Sequence, residues 1–313
     1  MPRNLPIIVG PTAAGKTAVA VQVAEKLGGE IVSADSRQIY RGMAVGSGAP
    51  SAAELRRARH HLIGELGPQA RLSAGEFARM ARTRVEEIEA RGRLPIVVGG
   101  SGLYVRALVD GLAPIPPHSP KLRHSLEAEI DRRGMAAMIA ELAALDPAYA
   151  AKVGLRDRKR LIRALEVCRL TDKPFSAWHG YGADDWRQPL FFGLQRPRAE
   201  LKILIEIRVR SMLAAGWLEE LKQLAGEYGG FNHLPPTVTE ALGYRQLMEY
   251  AEGRANWAGV VEKIIIATRQ FAKRQMTWFR ADARVVWREE SGAEAVGRWS
   301  EWMEREVSRR EQG

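Results

Sequence analysis

The chain has 313 residues, 46% of them hydrophobic, with 47 basic residues against 37 acidic ones and a formal net charge of +10. This is a globular composition, and the length allows about two domains of ~150 residues each, or one core with an insertion. A single cysteine, Cys168, excludes an intrachain disulfide and a zinc site of several cysteines, and no apolar run reaches the ~18 residues of a membrane helix. In chain order, the first element is an apolar strand, Leu5 to Val9, which runs straight into Gly10-Pro11-Thr12-Ala13-Ala14-Gly15-Lys16-Thr17. That segment fits G-x-x-x-x-G-K-[ST], and a helical pattern from Ala18 to Leu27 follows it. Glycines let the backbone turn its N–H groups toward an anion, and the helix start adds the positive end of its dipole. Lys16 is expected on the terminal phosphate oxygens and Thr17 on a magnesium ion. An ordinary Gly-rich turn would not call for Lys and Thr after its last glycine. The loop specifies a phosphorylated or diphosphorylated ligand without specifying a nucleotide. No charged leader with an apolar stretch precedes the loop, so the expected location is the cytoplasm.

Further strand patterns lie at 30–34, 94–98, 190–194 and 284–287, with helical patterns between most of them; Phe77, Ala81, Val85 and Ile88 share one helix face. The alternation predicts an α/β fold: a phosphate-loop parallel sheet covered on both sides, with ligands beyond the carboxyl ends of its strands. Three segments end there: the loop, Ser33-Ala34-Asp35-Ser36, and Gly99-Gly100-Ser101-Gly102. Asp35 can hold a water of a magnesium shell, take a proton from a nucleophile, or cap its own turn. Ser101 offers a hydroxyl to a ligand or to the helix that follows. The His60-His61 pair has no acidic or cysteine partners at metal spacing and reads as structural or as polar surface.

A Pro-rich break, Pro114 to Pro120, separates the strands from helical patterns. Residues 116–190 read as a helical insertion into a core of 1–115 and 191–313. Leu122, Leu126 and Ile130 form one stripe, and Met135, Met138, Leu142 and Leu145 another. The insertion also carries Lys152, Arg156, Arg158, Lys159, Arg160 and Arg163, dense enough to favour a polyanion. Of the 47 basic residues, 37 are arginine, which suits bidentate phosphate contacts, although a G- and C-rich genome produces the same bias. In the last long helix Val260, Ile264, Ala267, Phe271 and Trp278 form an apolar stripe expected to face the core. Arg269, Lys273 and Arg280 lie largely on the other side, and Gln, Arg and Trp together can read and stack on exposed bases.

These motifs, nearly end to end, resemble bacterial tRNA dimethylallyltransferases, also called tRNA isopentenyltransferases. The resemblance rests on the phosphate loop, Ser33-Ala34-Asp35-Ser36-Arg37-Gln38-Ile39-Tyr40, His60-His61-Leu62-Ile63, and Val98-Gly99-Gly100-Ser101-Gly102-Leu103-Tyr104. It continues through Arg160-Leu161-Ile162-Arg163-Ala164-Leu165-Glu166-Val167, Leu242-Gly243-Tyr244-Arg245-Gln246 and the Arg269 to Arg280 helix. It implies transfer of a dimethylallyl group from dimethylallyl diphosphate to N6 of the adenosine 3′-adjacent to a tRNA anticodon. It also implies a magnesium requirement and a loop that holds the donor diphosphate without ATP hydrolysis, although the loop pattern alone also marks ATP-binding proteins. Asp35 is then the general base, Ser101 orients the amine where the family usually has threonine, and Lys16 neutralises the leaving diphosphate. Arg208, rather than Arg210, is the implied second diphosphate contact, with Leu204 standing where an arginine is expected. Ala14 replaces a common loop serine at the cost of one hydrogen bond. The implied tRNA contacts are Asp35, Ser36, Arg37, Gln38, Ser101 and Arg123, then Lys159, Arg160, Leu161, Ile162 and Arg163. Gly243, Tyr244, Arg245, Lys273, Arg274, Gln275, Trp278 and Arg280 complete them, so that the insertion and the 273–280 helix clamp the anticodon stem-loop. The protein is expected to act as a monomer. The rival reading is a kinase with an Arg-bearing lid over 116–190, whose acceptor hydroxyl Asp35 would activate.

Overall fold

The computed structural model describes residues 4–155, 157–178 and 186–311. Six strands form one sheet: β1 (Asn4–Val9), β2 (Gly29–Ser33), β3 (His60–His61), β4 (Leu94–Val98), β5 (Gln188–Gln195) and β6 (Val286–Glu289). Their order is β3-β2-β4-β1-β5-β6, and every pairing is parallel. The fold is therefore α/β, as the alternating patterns predict. β1 sits between β4 and β5, with Ile8 opposite both Val98 and Phe192. Its apolar residues alternate between faces: Leu5, Ile7 and Val9 enter one core and Ile8 the other. A strand buried on both faces must be apolar at every position, which is why Leu5 to Val9 reads as a run and not an alternation.

The two-residue β3 went unread as a strand, because a two-residue edge strand carries no periodicity. It is fixed by pairing to Ile31 and Val32 and by a hydrogen bond between His61 Nε2 and Glu30 Oε2 at 2.7 Å. Glu30 also takes Arg91 at 2.7 Å, so His61 has a structural role, and His60 contacts the Ala58 carbonyl through Nδ1 at 2.8 Å.

The chain divides into two compact units, residues 1–109 with 185–313, and residues 110–184. The smaller unit is helical, with a core of Leu126, Ile130, Met138, Leu142, Leu161, Ile162, Leu165 and Cys168. Its long helix, Pro120–Leu145, is broken at Gly134, whose φ of 82° lies outside the helical region. That break explains why two apolar stripes rather than one continuous stripe are read there. Leu145, assigned to the second stripe, is exposed instead. Arg156 lies outside the described residues.

Candidate active site

The loop after β1 is shaped by backbone that few side chains tolerate. Gly10 has φ 147°, and a Cβ there would stand 2.5 Å from the Leu194 carbonyl oxygen. Gly15 caps the Lys16–Leu27 helix at φ 103°. Ala13 also adopts a positive φ, 65°, without being glycine, a conformation that costs an L-residue on the order of 1 kcal/mol or more and is kept where function or packing demands it. Lys16 Nζ donates to the carbonyls of Gly10 at 3.0 Å and Pro11 at 2.8 Å. Burial, and then the nearby Arg208 guanidinium, lower its pKa to about 8, with Asp35 pulling the other way.

Two side chains remote in sequence brace this loop. Gln275 accepts from the Thr12 N–H at 2.8 Å and donates to the Gly100 carbonyl at 3.1 Å, joining the loop to the turn after β4. Gly100 must lack a side chain for this, since a Cβ would lie 2.0 Å from Gln275 Nε2. Arg196, stacked 4.8 Å from the Trp299 ring, donates to the Ala14 carbonyl at 3.4 Å and pairs with Glu200 at 2.8 Å.

The ends of β2 and β4 meet beside the loop. The ladder continues past the strands, from Ala34 N–H to the Val98 carbonyl and from Ser101 N–H to the Ala34 carbonyl. Ser101 Oγ accepts from the Ser36 N–H at 3.0 Å, so its hydroxyl ties the two strand ends together instead of capping the following helix. Asp35 Oδ1 accepts from the N–H groups of Arg37 at 2.8 Å and Gln38 at 3.4 Å. The carboxylate thus caps its turn through one oxygen, and the turn fixes it in the pocket wall. Gln38 Nε2 and Arg208 Nη2 both donate to the Gly48 carbonyl, at 3.1 and 3.3 Å. Gly48 makes room for Arg208, because a Cβ there would sit 1.9 Å from the guanidinium.

Lys16, Thr17, Asp35 and Arg208 line a pocket of about 480 Å³, with Glu54, Glu240 and Arg274 also on its polar side, and Val209, Met212, Trp217, Leu242 and Phe271 line its apolar part. Arg208 faces this pocket, whereas Arg210 is exposed and paired with Glu206 at 2.9 Å. Burial lowers the pKa of Arg208, against the pull of Asp35 and Glu54. Among the described residues no three His, Cys, Asp or Glu side chains gather as a metal site.

A second cleft, about 520 Å³, lies between the Arg198–Ala214 and Trp257–Arg280 helices, with Pro11 of the loop in its wall. Arg198, Lys202, Arg269, Lys273 and Arg280 line it against one carboxylate, Glu289.

Residues 38–282 match the family described as IPP transferase. The tRNA dimethylallyltransferase of Anaeromyxobacter dehalogenans is 42% identical over 285 residues, 91% of this chain and 94% of that protein. The enzyme of the same name from Stenotrophomonas maltophilia (strain K279a) is 44% identical over 286 residues, 90% of each. This chain belongs to the IPP transferase family. The solved full-length tRNA isopentenylpyrophosphate transferase of Bacillus halodurans superposes with a TM-score of 0.69 at 32% identity, over 100% of both chains. The family match begins after the phosphate loop, so the loop is an observation independent of it.

Within this family member, several side chains expected on the RNA surface are used internally. Leu161 and Ile162 are 0% and 3% exposed, because they form the buried face of the Arg158–Thr171 helix. Arg163 pairs with the buried Glu166 at 2.6 Å and donates to the Pro116 carbonyl. Gln275 is 5% exposed, and Tyr244, also buried, donates its hydroxyl to Glu220 at 2.6 Å. Gly243 is packed under the Trp217 ring. The stripe read on the last long helix holds only at Val260 and Ile264. Its buried face continues through Thr268, Ala272, Gln275 and Phe279, while Ala267 and Phe271 are half-buried, Phe271 lining the pocket, and Trp278 is 41% exposed and lies against Gly102. Lys159, Arg160, Arg245, Lys273, Arg274 and Arg280 are exposed, and Arg123 is half-buried. Sequence reasoning missed the Arg196–Trp299 brace and the apolar wall. The only signal for the wall was a Met and a Trp flanking the Gly216 turn.

Proposed function

We infer that this protein transfers a dimethylallyl group from dimethylallyl diphosphate to N6 of the adenosine 3′-adjacent to the anticodon in tRNA, releasing diphosphate. One observation carries the reading: a single pocket joins a phosphate loop, a fixed carboxylate and an apolar wall. Such a site suits a donor with an anionic head and a short hydrocarbon tail. The diphosphate takes the loop N–H groups, with Lys16 and Arg208 beside it. The exocyclic amine is a poor nucleophile, since its lone pair is delocalised into the ring. As its nitrogen bonds to C1 of the donor, the C1–O bond breaks and the N6 proton passes to Asp35. Ser101, which holds the Asp35 turn through Ser36, keeps that carboxylate in place.

Magnesium fits this donor set. The ion prefers phosphate oxygens and water with one or two protein oxygens, and Thr17 supplies a hydroxyl at the loop. When bound it adds positive charge beside the leaving diphosphate. The RNA is proposed to lie on exposed cations: Lys159 and Arg160 of the insertion, and Lys273 and Arg280 at the second cleft. Ser36, Arg37, Gln38 and Arg245 stand nearer the acceptor base, which must leave its stack to enter. Every residue lining the pocket comes from one compact unit, and the protein is proposed to act as a monomer. A cytoplasmic location suits an RNA substrate, and among the described residues no helix is long and apolar enough to cross a membrane.

The test mixes purified protein, magnesium, radiolabelled dimethylallyl diphosphate and unmodified tRNA with adenosines following the anticodon. Label in the tRNA, absent with Lys16→Ala, is expected. No label from folded protein on several tRNAs, or ATP consumption that depends on an acceptor, would overturn the reading.

A further inference from the structure

The apolar part of the pocket has an unusually constrained wall. On the Arg198–Ala214 helix, Arg208, Val209 and Met212 face the pocket together. Residues four apart stack along one helix face, so Met212 stands about 6 Å further along the axis than Arg208. The pocket-facing side of this helix therefore changes from cationic to apolar within one turn. The helix ends at Ala214, Gly216 turns the chain at φ 94°, and Trp217 follows as the first residue of the next helix, Trp217–Glu227.

Trp217 is 1% exposed and lines the pocket. Its indole is held between two glycines. A Cβ on Gly46 would fall 2.0 Å from Nε1, and one on Gly243 would fall 2.0 Å from Cη2. Tyr244 meets the indole edge-on, with ring centroids 5.7 Å apart. Glu220, one turn beyond Trp217, ties these neighbours together. Its carboxylate accepts from the N–H groups of Val45 at 2.7 Å and Gly46 at 2.9 Å, and from the Tyr244 hydroxyl at 2.6 Å. Three donors on one carboxylate fix the segment on one side of the indole and the ring on another. Away from the pocket the indole is backed by Gly46, Gly243 and Tyr244, so the wall is firmly supported as well as apolar.

Resting on the donor proposed above, we propose that Trp217 is the residue that limits the donor to a single five-carbon prenyl unit, and that Glu220 is the positioning residue that holds it. A diphosphate anchored at Lys16 and Arg208 leaves its first five carbons along Val209 and Met212. A second prenyl unit would have to occupy the volume of the indole. Close-packed walls resist such overpacking, and a wall that cannot yield discriminates more strongly than one that can.

The test compares dimethylallyl and geranyl diphosphate as donors to unmodified tRNA, for wild type, Trp217→Leu and Trp217→Phe. Their unreactive thiolo-diphosphate analogues are titrated by calorimetry in parallel. Wild type is expected to favour the five-carbon donor at least 100-fold in kcat/KM. Trp217→Leu is expected to narrow the ratio to within about tenfold, chiefly by gaining on the ten-carbon donor, with the same narrowing in analogue affinity. Trp217→Phe should fall between them, and Glu220→Gln should relax the ratio while Trp217 is still present. Trp217→Leu that stays folded, keeps its tRNA affinity and leaves the ratio unchanged would overturn the proposal. So would a loss of five-carbon transfer with no ten-carbon gain in either transfer or binding. Wild type that transfers neither donor, yet binds the shorter analogue far more tightly, would sink the transferase reading and leave the size filter standing.

Discussion

The pocket of the α/β unit and the basic helix of the helical unit use positive charge differently. In the α/β unit, Lys16 and Arg208 point into a pocket, and burial weakens their hold on a proton. In the helical unit, Arg158 and Arg163 of the basic run read from the sequence pair with Asp131 and Glu166, and Arg169, outside that run, pairs with both Glu129 and Glu141. Glu166 shows the cost of that arrangement. Burial would raise its pKa, but Arg163, His118 and the Ser119 N–H together hold it below the usual carboxylate range. A desolvated cation is poised for a ligand, whereas a paired one supports the fold. A run of arginines in sequence does not distinguish the two.

The contrast can be broken at its strongest point first. Lys16→Ala should lower prenyl transfer about 10³-fold or more, since it removes a charge beside the leaving group; single-turnover label transfer checks this. Asp35→Asn should cost about 10²-fold or more in turnover, while dimethylallyl diphosphate still binds by calorimetry. Loss of donor binding in that variant would make Asp35 a structural or metal-linked group instead. In the helical unit, Arg163→Ala should act on stability and not on chemistry, costing about 2 kcal/mol because the buried Glu166 loses its arginine and keeps only weaker partners, His118 and the Ser119 N–H. Urea denaturation measures it, and a variant as stable as wild type would refute the structural role of that pair.

A smaller effect concerns pH. The Lys16 pKa is lowered to about 8, so its cation is present below that pH and lost above it. Donor capture, read as kcat/KM for the diphosphate, should therefore fall by up to about tenfold between pH 8 and pH 9. A flat profile there would mean that the loop N–H groups and Arg208 suffice. The smallest expected change is at Arg160, which is exposed and paired with Asp157 at 3.3 Å. Arg160→Glu should weaken tRNA binding a few-fold and reduce the salt slope by about one.

The phosphate loop, the strand before it and the helix after it were legible because all of their signals are local. Glycines at Gly10 and Gly15, an apolar run and a 3.6-residue period lie within 24 residues of one another. The sheet followed from four more apolar runs, and β3 did not, since two residues contain no period. The position of Asp35 at a strand end was equally readable. Its partners were not: the Ser101 hydroxyl reaches the Asp35 turn across 65 residues of chain.

The sequence alone determined that this is an α/β phosphate-loop protein with a helical insertion pattern, and its ordered motifs pointed to the IPP transferase family. Tertiary structure decided which faces of its helices are spent inward. Gln275 reaches Thr12 across 263 positions, Arg196 reaches Ala14 across 182, and Arg208 enters the pocket only because Gly48 lacks a side chain. Periodicity tells which residues share a helix face, but not which loop that face meets. That is settled by close packing among segments distant in sequence, where one missing Cβ admits a guanidinium, an amide or an indole.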